Sequence, residues 1–280
     1  MKGRRIVVTG GSMGIGAAVA RALAERGAEL VLIARGAEEL EATLAGLPGD
    51  RHEAHPFDVS DEAAWREIAP QLGELHGLVC AAAVLDPVGP IGSYEPERFR
   101  RTLEVNVFGT LLAVHHCLAA LRASEGAVVT FSGGGGTGPL PRFDAYAASK
   151  AAVVRLSENL AVELEESGVR VNCVAPGFVA TRMHEATLAA GPGSAGAGYY
   201  ERTRRELEEG GVPAAQAAEL VCLLLGDPEP VPFTGRLISA VWDPWRDAGF
   251  GQRLRTTPDL ATLRRIDGVQ FAPVAEEERA

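Results

Sequence analysis

Short apolar segments of strand length alternate with longer segments of helical periodicity along most of this chain, and this alternation constrains its fold more than any other feature. Such an order is typical of parallel sheets that helices cover on both faces. The predicted strands are residues 4–9, 29–34, a short one ending near 55–57, 75–82, 127–131, 169–174 and 236–241. The predicted helices are residues 14–26, 37–45, one with Ser60 as its N-cap, 96–121, 145–166 and 219–225. We therefore expect one α/β domain with a doubly wound sheet of about seven parallel strands.

Two segments interrupt the alternation. Residues 189–198 are almost entirely glycine and alanine, with little side-chain bulk to pack, and we expect them to be mobile. Residues 246–280 follow the last predicted strand and are too short to form a domain of their own. The predicted domain therefore covers residues 1–245, and residues 246–280 form a C-terminal extension.

The composition argues against several classes of protein. The chain has 280 residues with 27 basic and 37 acidic side chains, and a net charge of −10 argues against a nucleic acid or an anionic membrane as partner. No run of 18 apolar residues occurs, so no membrane span is predicted. The four cysteines lack a CxxC pair and the six histidines lack metal-ligand spacing, which predicts reduced thiols in a cytoplasmic protein and no metal site.

A glycine-rich segment, Thr9–Gly16 (TGGSMGIG), lies between the first predicted strand and the first predicted helix. Gly10, Gly14 and Gly16 allow a tight turn and a close approach of the backbone to a pyrophosphate, and the helix N-terminus offers free N–H groups. A glycine turn can also be purely structural. Its place at the start of the alternating pattern favours a Rossmann-type dinucleotide site.

The residue that follows the second predicted strand bears on the choice of cofactor. NAD-selective sites place a carboxylate there, which binds the ribose 2′-hydroxyl. Here the strand ends at Ala34 and Arg35 follows, and a guanidinium suits a 2′-phosphate. We therefore predict NADP(H), with a merely solvated Arg35 as the alternative interpretation.

Tyr146 and Lys150 lie four residues apart at the start of the second long predicted helix, and so share one helical face. A phenol has a pKa of about 10, and an adjacent ammonium lowers it so that the group can exchange a proton with a substrate oxygen. Lys2 and Lys150 are the only lysines among the 27 basic residues. Because the chain otherwise uses arginine, the retained Lys150 indicates a function that a guanidinium cannot perform.

With these motifs the chain resembles the short-chain dehydrogenase/reductase family, over roughly residues 4–245. Thr9–Gly16 is similar to the family's TGxxxGxG loop, and Tyr146 with Lys150 to its YxxxK pair. The other matches are Asp58–Val59 (adenine contact), Asn106 (a structural water in a proton relay) and Pro176–Gly177 with Thr181 (nicotinamide contact).

The resemblance implies a hydride exchange between a nicotinamide and a carbonyl or secondary alcohol carbon of a small or medium organic substrate. Tyr146 would be the acid–base group, Lys150 would bind the nicotinamide ribose and lower the tyrosine pKa, and Asn106 would extend the proton path. The implied cofactor-binding residues are Gly10, Ser12, Met13, Gly14, Ile15, Gly16, Arg35, Asp58, Val59, Ala81, Ala82, Tyr146, Lys150, Pro176, Gly177, Val179 and Thr181. The resemblance also implies a substrate lid at about 182–212, which contains Tyr199 and Tyr200, and a homodimer or homotetramer through the helices at 96–121 and 145–166.

Three positions depart from the family pattern. Cys80–Ala83 replaces an NNAG segment and lacks its asparagine hydrogen bonds. Gly133 occupies the position of the substrate-side serine, which leaves Ser132, Thr137 or a loop N–H to polarise the substrate carbonyl, with Ser132 preferred. Trp242 and Trp245 follow the last strand in place of a glycine-rich turn, and we expect them to pack in the core or at an interface rather than line the substrate pocket.

Two other functions stay open at this point. The altered serine position is compatible with a non-redox or multistep reaction in the same site, such as dehydration or epimerisation. A non-catalytic sensor of NADP(H) would keep the glycine loop, but such proteins typically lose the tyrosine–lysine pair that this chain retains. The expected function is therefore an NADP(H)-dependent oxidoreductase.

Overall fold

The computed structural model describes residues 1–264, which form a seven-stranded parallel sheet with the strand order β3-β2-β1-β4-β5-β6-β7. The strands are β1 (Arg5–Thr9), β2 (Glu29–Ala34), β3 (Glu53–Pro56), β4 (Gly77–Cys80), β5 (Ala127–Phe131), β6 (Arg170–Ala175) and β7 (Leu237–Ser239). The helices are α1 (Gly14–Glu25), α2 (Ala37–Ala45), α3 (Glu62–Ile68), α4 (Pro96–Leu103), α5 (Gly109–Ala123), α6 (Asp144–Glu163), α7 (Arg182–Ala195), α8 (Ala197–Glu208), α9 (Ala214–Leu224) and α10 (Phe250–Thr256). The predicted doubly wound α/β fold is confirmed.

Each face of the sheet has its own apolar layer, because successive strand residues point to opposite faces. Ile6 and Val8 of β1 pack in the layer that includes α1, α2 and α9, whereas Val7 packs in the layer that includes α3, α5 and α6. The strand order reverses between β1 and β4. Doubly wound folds bind their ligands at the carboxyl ends of the strands beside such a reversal, and this edge holds the predicted site.

The predicted start of one helix was wrong by one residue. Asp61, not Ser60, is the N-cap of α3, and its carboxylate accepts hydrogen bonds from the N–H groups of Ala63 and Ala64. The hydroxyl of Ser60 instead donates to Asp58 over 2.7 Å. Serine and aspartate cap helices about equally well, so adjacent candidates cannot be separated by residue type.

The helix predicted at 96–121 is confirmed in position but is not uniform, since a π-helical turn at Glu104–Phe108 joins α4 to α5. By length and composition alone, the combined helix Pro96–Ala123 is apolar enough to cross a membrane. Core helices pass the same test, and 44% of the apolar window is buried inside this fold. Its inner face packs in the sheet layer through Leu112, Val114 and Leu121.

The stretch 189–198 forms part of a helical pair rather than the mobile linker predicted for it. α7 continues through this stretch with a kink at Gly191, and α8 starts directly after Gly196. Ala195 is only 1% exposed, and the Arg142 guanidinium donates to the carbonyl oxygens of Gly193 and Ser194 over 2.6 and 3.1 Å. The expectation was wrong because small residues also allow close packing against other segments. The helices α7 and α8 are called the lid below.

The described part of the C-terminal extension packs on the domain. Phe250 and Leu254 of α10 belong to the apolar layer of α1 and α9, and the N–H of Leu237 on edge strand β7 donates to Ala261 over 2.8 Å. Trp245 is buried, and its Nε1 donates to the Ala240 carbonyl over 3.0 Å. Trp242 is 85% exposed in the single chain. The rest of the predicted extension, residues 265–280, lies outside the described residues.

Candidate active site

The glycine-rich loop between β1 and α1 forms a backbone cradle, Gly10–Gly16. Gly10 and Gly14 have φ of 70° and 55°, a region that favours glycine. A Cβ at Gly10 would lie 2.7 Å from the backbone nitrogen of Ala82, and one at Gly16 would overlap the carbonyl oxygen of Gly10. The turn therefore excludes side chains at the two positions that bring the backbone closest together.

The cradle ends in a helix N-terminus that suits an anion. Helix α1 begins after Met13, no side chain caps its first turn, and that turn contains no acidic residue. Free N–H groups and the positive end of the helix dipole favour a phosphate at this place. The site fits a pyrophosphate, for which the surrounding residues are Gly10, Ser12, Met13, Gly14, Ile15 and Gly16.

The segment that replaces the expected asparagines lies against the same cradle. The N–H of Ala81 donates to the carbonyl of Thr9 over 3.2 Å, and the N–H of Ala82 donates to the Thr9 hydroxyl over 3.3 Å. Backbone bonds to Thr9 thus fix this segment without an asparagine side chain.

The segment after β6 reaches the cradle from the other side. A Cβ at Gly14 would lie 3.1 Å from the methyl group of Thr181. Along the chain between β6 and Thr181, Pro176 and Val179 are buried, and Gly177 has a φ of 79°. The predicted nicotinamide-contacting segment therefore adjoins the predicted pyrophosphate site.

A cation and a carboxylate both lie at the end of β2. Arg35 is exposed directly after the strand, as predicted from its position. The carboxylate of Glu39 folds back so far that it would overlap a Cβ at Gly36, and it lies 4.0 Å from Arg182. Sequence reasoning identified the arginine but not this carboxylate, which the helical turn of α2 brings back toward the strand end.

Asp58 is held in one orientation by its neighbours. Its carboxylate accepts hydrogen bonds from the N–H and hydroxyl of Ser60, over 3.0 and 2.7 Å, and pairs with Arg101. Burial alone would raise the pKa of this carboxyl, but the Ser60 hydrogen bonds and the Arg101 charge hold the pKa below its usual value. Val59 is buried against Gly109. Both predicted adenine contacts are thus firmly positioned after β3.

Tyr146 and Lys150 lie together on the buried face of α6. They are 8% and 5% exposed, and the Lys150 ammonium lies 5.5 Å from the centre of the Tyr146 ring. Lys150 Nζ donates to the carbonyl of Phe131, at the end of β5, over 3.0 Å. The helix and the strand end therefore fix both side chains at the carboxyl edge of the sheet.

In the protein without cofactor, the pKa of Tyr146 lies above its ordinary value, and the lowering of it by Lys150 stays a prediction. Burial raises the pKa of Tyr146, and the nearby Tyr199 phenol raises it further. Burial also lowers the pKa of Lys150 to about 8. The ammonium faces the Phe131 carbonyl instead of donating to the phenol oxygen, so it does not offset the cost of burying a phenolate.

Asn106 clamps three chain segments together from within the π-helical turn. Its Oδ1 accepts from the N–H of Val84 over 2.8 Å, and its Nδ2 donates to the Val84 carbonyl and to the Ser149 hydroxyl, each over 2.9 Å. Ser149 donates in turn to the carbonyl of Tyr146 over 2.7 Å. Both amide hydrogens of Asn106 are therefore bound to protein groups. The extra residue of a π-turn commonly marks functional sites, and no sequence signal predicts it here.

The loop after β5 separates the candidates for the missing serine. A Cβ at Gly133 would overlap the hydroxyl of Tyr146, so the side-chain direction of residue 133 faces the phenol. The buried Ser132 has its hydroxyl against Gly136. Thr137 is exposed and lines a cavity with Asp144, Ala147 and Ala148, on the other face of α6. In the structure the side-chain direction of Gly133 faces the phenol, and the choice of Ser132 as the substrate-side donor stays a prediction.

An apolar cluster surrounds Tyr146 on its substrate side. Its buried members besides Tyr146 are Leu85, Phe143 and Ala195, and Val88, Leu140, Met183, Tyr199 and Tyr200 pack against them. These residues come from the loop after β4, the segment before α6, and the lid. The rings of Phe143 and Tyr199 lie 4.6 Å apart between centroids. Apolar and aromatic side chains therefore pack around the Tyr146 side chain.

Sequence reasoning missed the residues that join the lid to the catalytic helix. Arg142 holds the carbonyls at the end of α7 while its own φ is 74°, which is unusual for a residue other than glycine. Phe143, the next residue, is fully buried against the lid. No spacing or motif predicts either role, because both depend on contacts with residues about 50 positions away.

Comparison with known proteins gives a consistent result. The family model described as short chain dehydrogenase matches residues 4–190. The chain is 37% identical over 187 residues to cis-4-hydroxycyclohexanecarboxylate dehydrogenase of Sinomonas cyclohexanicum, an alignment that covers 64% of this chain and 75% of that protein.

Solved structures are similar over nearly the whole described domain. A short-chain dehydrogenase/reductase from Saccharomyces cerevisiae superposes with a TM-score of 0.79 at 26% identity, covering 89% of this chain and 99% of that one. Levodione reductase superposes with a TM-score of 0.76 at 27% identity, covering 90% and 99%.

Proposed function

This chain belongs to the short-chain dehydrogenase family, and from that premise we propose that it is an NADP(H)-dependent oxidoreductase acting on a carbonyl or secondary alcohol of a medium-sized organic molecule. The observation that carries the proposal is the buried Tyr146–Lys150 pair at the same sheet edge as the glycine cradle. A bound nicotinamide would supply or accept the hydride.

In the direction of reduction, Tyr146 protonates the substrate oxygen. Burial raises the pKa of its phenol, so the group carries its proton at neutral pH and is a donor when a carbonyl oxygen arrives. Lys150 lies one turn after Tyr146 on α6, and its ammonium donates to the Phe131 carbonyl. From this position it is available to the ribose of the cofactor. Asn106 holds the loop after β4 and, through Ser149, the first turn of α6.

The decisive experiment measures nicotinamide absorbance with NADPH or NADP⁺ and a panel of ketones and alcohols, for the wild type and for Tyr146→Phe. The wild type should turn over at least one member of the panel. The variant should lose roughly 1,000-fold in kcat because only the acid–base hydroxyl is removed, while its Kd for NADPH stays near the wild-type value. Substantial turnover by the variant would exclude this mechanism.

The preference for NADP(H) is supported by Arg35, which is exposed at the end of β2 where a 2′-phosphate would lie. Glu39 nearby offers a carboxylate to a ribose hydroxyl, and so works against that preference. Arg35→Asp should therefore shift the ratio of kcat/KM from NADPH toward NADH, and Glu39→Gln should shift it further toward NADPH. An unchanged ratio in Arg35→Asp would remove this residue from the cofactor site.

The substrate class follows from the walls around Tyr146. The cluster there is made of aliphatic and aromatic side chains, and burying an unpaired charge against such side chains is costly. We propose an uncharged cyclic ketone or alcohol. The panel should accordingly compare cyclohexanone and cyclohexane-1,4-dione with 4-oxocyclohexanecarboxylate, and a higher kcat/KM for the carboxylate would contradict the proposal.

A homodimer through α5 and α6 is the assembly we propose. Phe108 and Leu111 are 45% and 40% exposed, and with Leu156 of α6 they line a shallow apolar groove. Exposed apolar groups on adjacent helices are typical of a face that another protein covers. Size-exclusion chromatography with light scattering should give a dimer or tetramer for the wild type and a smaller species for Leu111→Glu.

We also propose that the enzyme works in the cytoplasm. All four cysteines are free and buried, so the fold does not depend on an oxidising compartment. A fluorescent fusion in the source organism would test this location directly.

A further inference from the structure

The catalytic phenol lacks the usual neighbour that would bind the substrate oxygen with it. The side-chain direction of Gly133 faces the Tyr146 hydroxyl, and a Cβ there would overlap it. A carbonyl that is reduced develops negative charge on its oxygen, and a second donor aimed at that oxygen stabilises the transition state. A second donor must therefore come from a residue other than Gly133.

The two nearby hydroxyls of the β5 loop, those of Ser132 and Thr137, have other neighbours in the structure. The Ser132 hydroxyl lies against Gly136, and the side chain of Thr137 is exposed beside a cavity on the other face of α6. Among the apolar and aromatic residues that pack around Tyr146, Tyr199 and Tyr200 of the lid carry a hydroxyl. Tyr199 is the one whose ring packs on Phe143, three residues before Tyr146.

The lid holds the Tyr199 side chain from several directions. Helix α8 starts at Ala197, and Gly196 before it has a φ of 84° and lies against the Arg142 side chain. The Arg142 guanidinium binds the last carbonyls of α7, and the Arg202 guanidinium lies 5.5 Å from the centre of the Tyr199 ring. The ring is therefore positioned before any substrate binds.

The chemistry of Tyr199 suits a donor that keeps its proton. Burial raises the pKa of its phenol, and the two phenols of Tyr199 and Tyr146 are close enough that one raises the pKa of the other. At neutral pH both remain protonated. Two protonated phenols can each donate one hydrogen bond to the same carbonyl oxygen.

We propose that Tyr199 is a catalytic residue that donates a hydrogen bond to the substrate oxygen, in the role left open at Gly133, while Tyr146 transfers the proton. This inference rests on the proposed oxidoreductase function. The role of Tyr199 also makes the lid part of the catalytic site. A substrate is then turned over efficiently only if the lid can close over it.

The test compares Tyr199→Phe with Tyr94→Phe, a tyrosine outside the cluster around Tyr146, as matched control, and with Ser132→Ala as the alternative donor, in the NADPH-dependent reduction of cyclohexane-1,4-dione. Tyr199→Phe should lower kcat by roughly 100-fold, the effect of removing one oxyanion donor, and should increase the isotope effect with NADPH deuterated at C4. The Tm and the Kd for NADPH should stay near wild-type values. Tyr94→Phe removes a hydroxyl that bonds Asp144 and should stay within about threefold of the wild-type kcat.

The outcomes separate the two proposals. No turnover by the wild type across the panel would overturn the oxidoreductase function and this inference with it. A wild type that depends on Tyr146 but not on Tyr199 would keep the function and overturn the inference, and a loss confined to Ser132→Ala would assign the donor to Ser132. A higher KM with unchanged kcat and isotope effect in Tyr199→Phe would reduce Tyr199 to a wall of the pocket and also overturn it. A lowered Tm in Tyr199→Phe would leave a structural explanation for the loss of kcat, and Tyr199→His then decides. Histidine returns a hydrogen-bond donor on a ring, so this variant must recover part of the wild-type kcat. If it does not, the inference is overturned.

Discussion

The two ends of the cleft are built from different parts of the chain. At the predicted cofactor end, backbone atoms of one short loop make the pyrophosphate cradle, and Gly10 and Gly16 leave no room for a Cβ. At the substrate end, side chains from three distant segments make it, among them Phe143 before α6 and Tyr199 in the lid. A backbone site loses its shape with almost any substitution, whereas a side-chain site can change its specificity one residue at a time.

The largest expected effect breaks the cofactor end at its tightest contact. Gly16→Ala puts a methyl group onto the Gly10 carbonyl, so the cradle must open and binding of NADPH should weaken by roughly 100-fold, equivalent to about 3 kcal/mol of strain. The matched control is Gly138→Ala in the β5 loop, where a Cβ would meet nothing within 4 Å. Fluorescence titration with NADPH measures both, and equal Kd values would contradict the steric argument.

The next effect concerns the residue that joins the two ends. Asn106→Ala removes the hydrogen bonds to the half-buried N–H and carbonyl of Val84 and to the Ser149 hydroxyl, which should cost about 3 kcal/mol in the free energy of unfolding. Ser149→Ala removes one hydroxyl from the same cluster and should cost about 1 kcal/mol. Urea denaturation of both variants measures the difference. If Ser149→Ala proved the more costly change, Asn106 would not be the clamp between the loop and α6.

The cofactor end could be predicted from the sequence better than the substrate end, because its contacts are local along the chain. The cradle could be predicted because Gly10, Gly14 and Gly16 lie within seven residues of one another and their requirement for close backbone approach is local. The position of Tyr146 beside Lys150 follows in the same way from helical spacing. The role of Arg142 and the packing of Ala195 could not be predicted, since each depends on a contact between the β5 loop and the lid.

The next effect is the electrostatic cost of burying Lys150, which lies where the predicted cofactor and substrate sites meet. Burial holds the pKa of Lys150 at about 8, below its value of about 10.5 in an unfolded chain. Below pH 8 both states bind the proton, and the folded protein bears the full cost of the buried ammonium. Between about pH 8 and 10.5 only the unfolded chain binds it, so the Lys150 contribution to stability becomes more favourable as pH rises.

Lys150→Met should therefore be more stable than the wild type at pH 7, by roughly 2 kcal/mol after the lost bond to Phe131 is allowed for. The difference between the two proteins in the free energy of unfolding should narrow as the pH rises from 8 to 10. Chemical denaturation of the two proteins without cofactor, at matched pH values, measures the difference directly. The titration of Cys80, Cys117 and Cys222 is common to both proteins, whereas Cys173 interacts with Lys150 and contributes to the difference. A gap that stays constant over this range would show that Lys150 does not titrate there.

The smallest effect loosens the substrate end without touching the pocket walls. Arg142→Ala removes the hydrogen bonds that hold Gly193 and Ser194, so the lid should close less often and KM should rise roughly fivefold, equivalent to about 1 kcal/mol. Arg205→Ala, on the exposed side of α8, keeps those bonds and should leave KM unchanged. The Kd for NADPH should be the same in both variants, because the cradle is made by backbone atoms of another loop. A change in NADPH affinity with Arg142→Ala would mean that the two ends of the cleft are coupled through the lid. The two ends would then be built from separate residues, but their binding free energies would depend on each other.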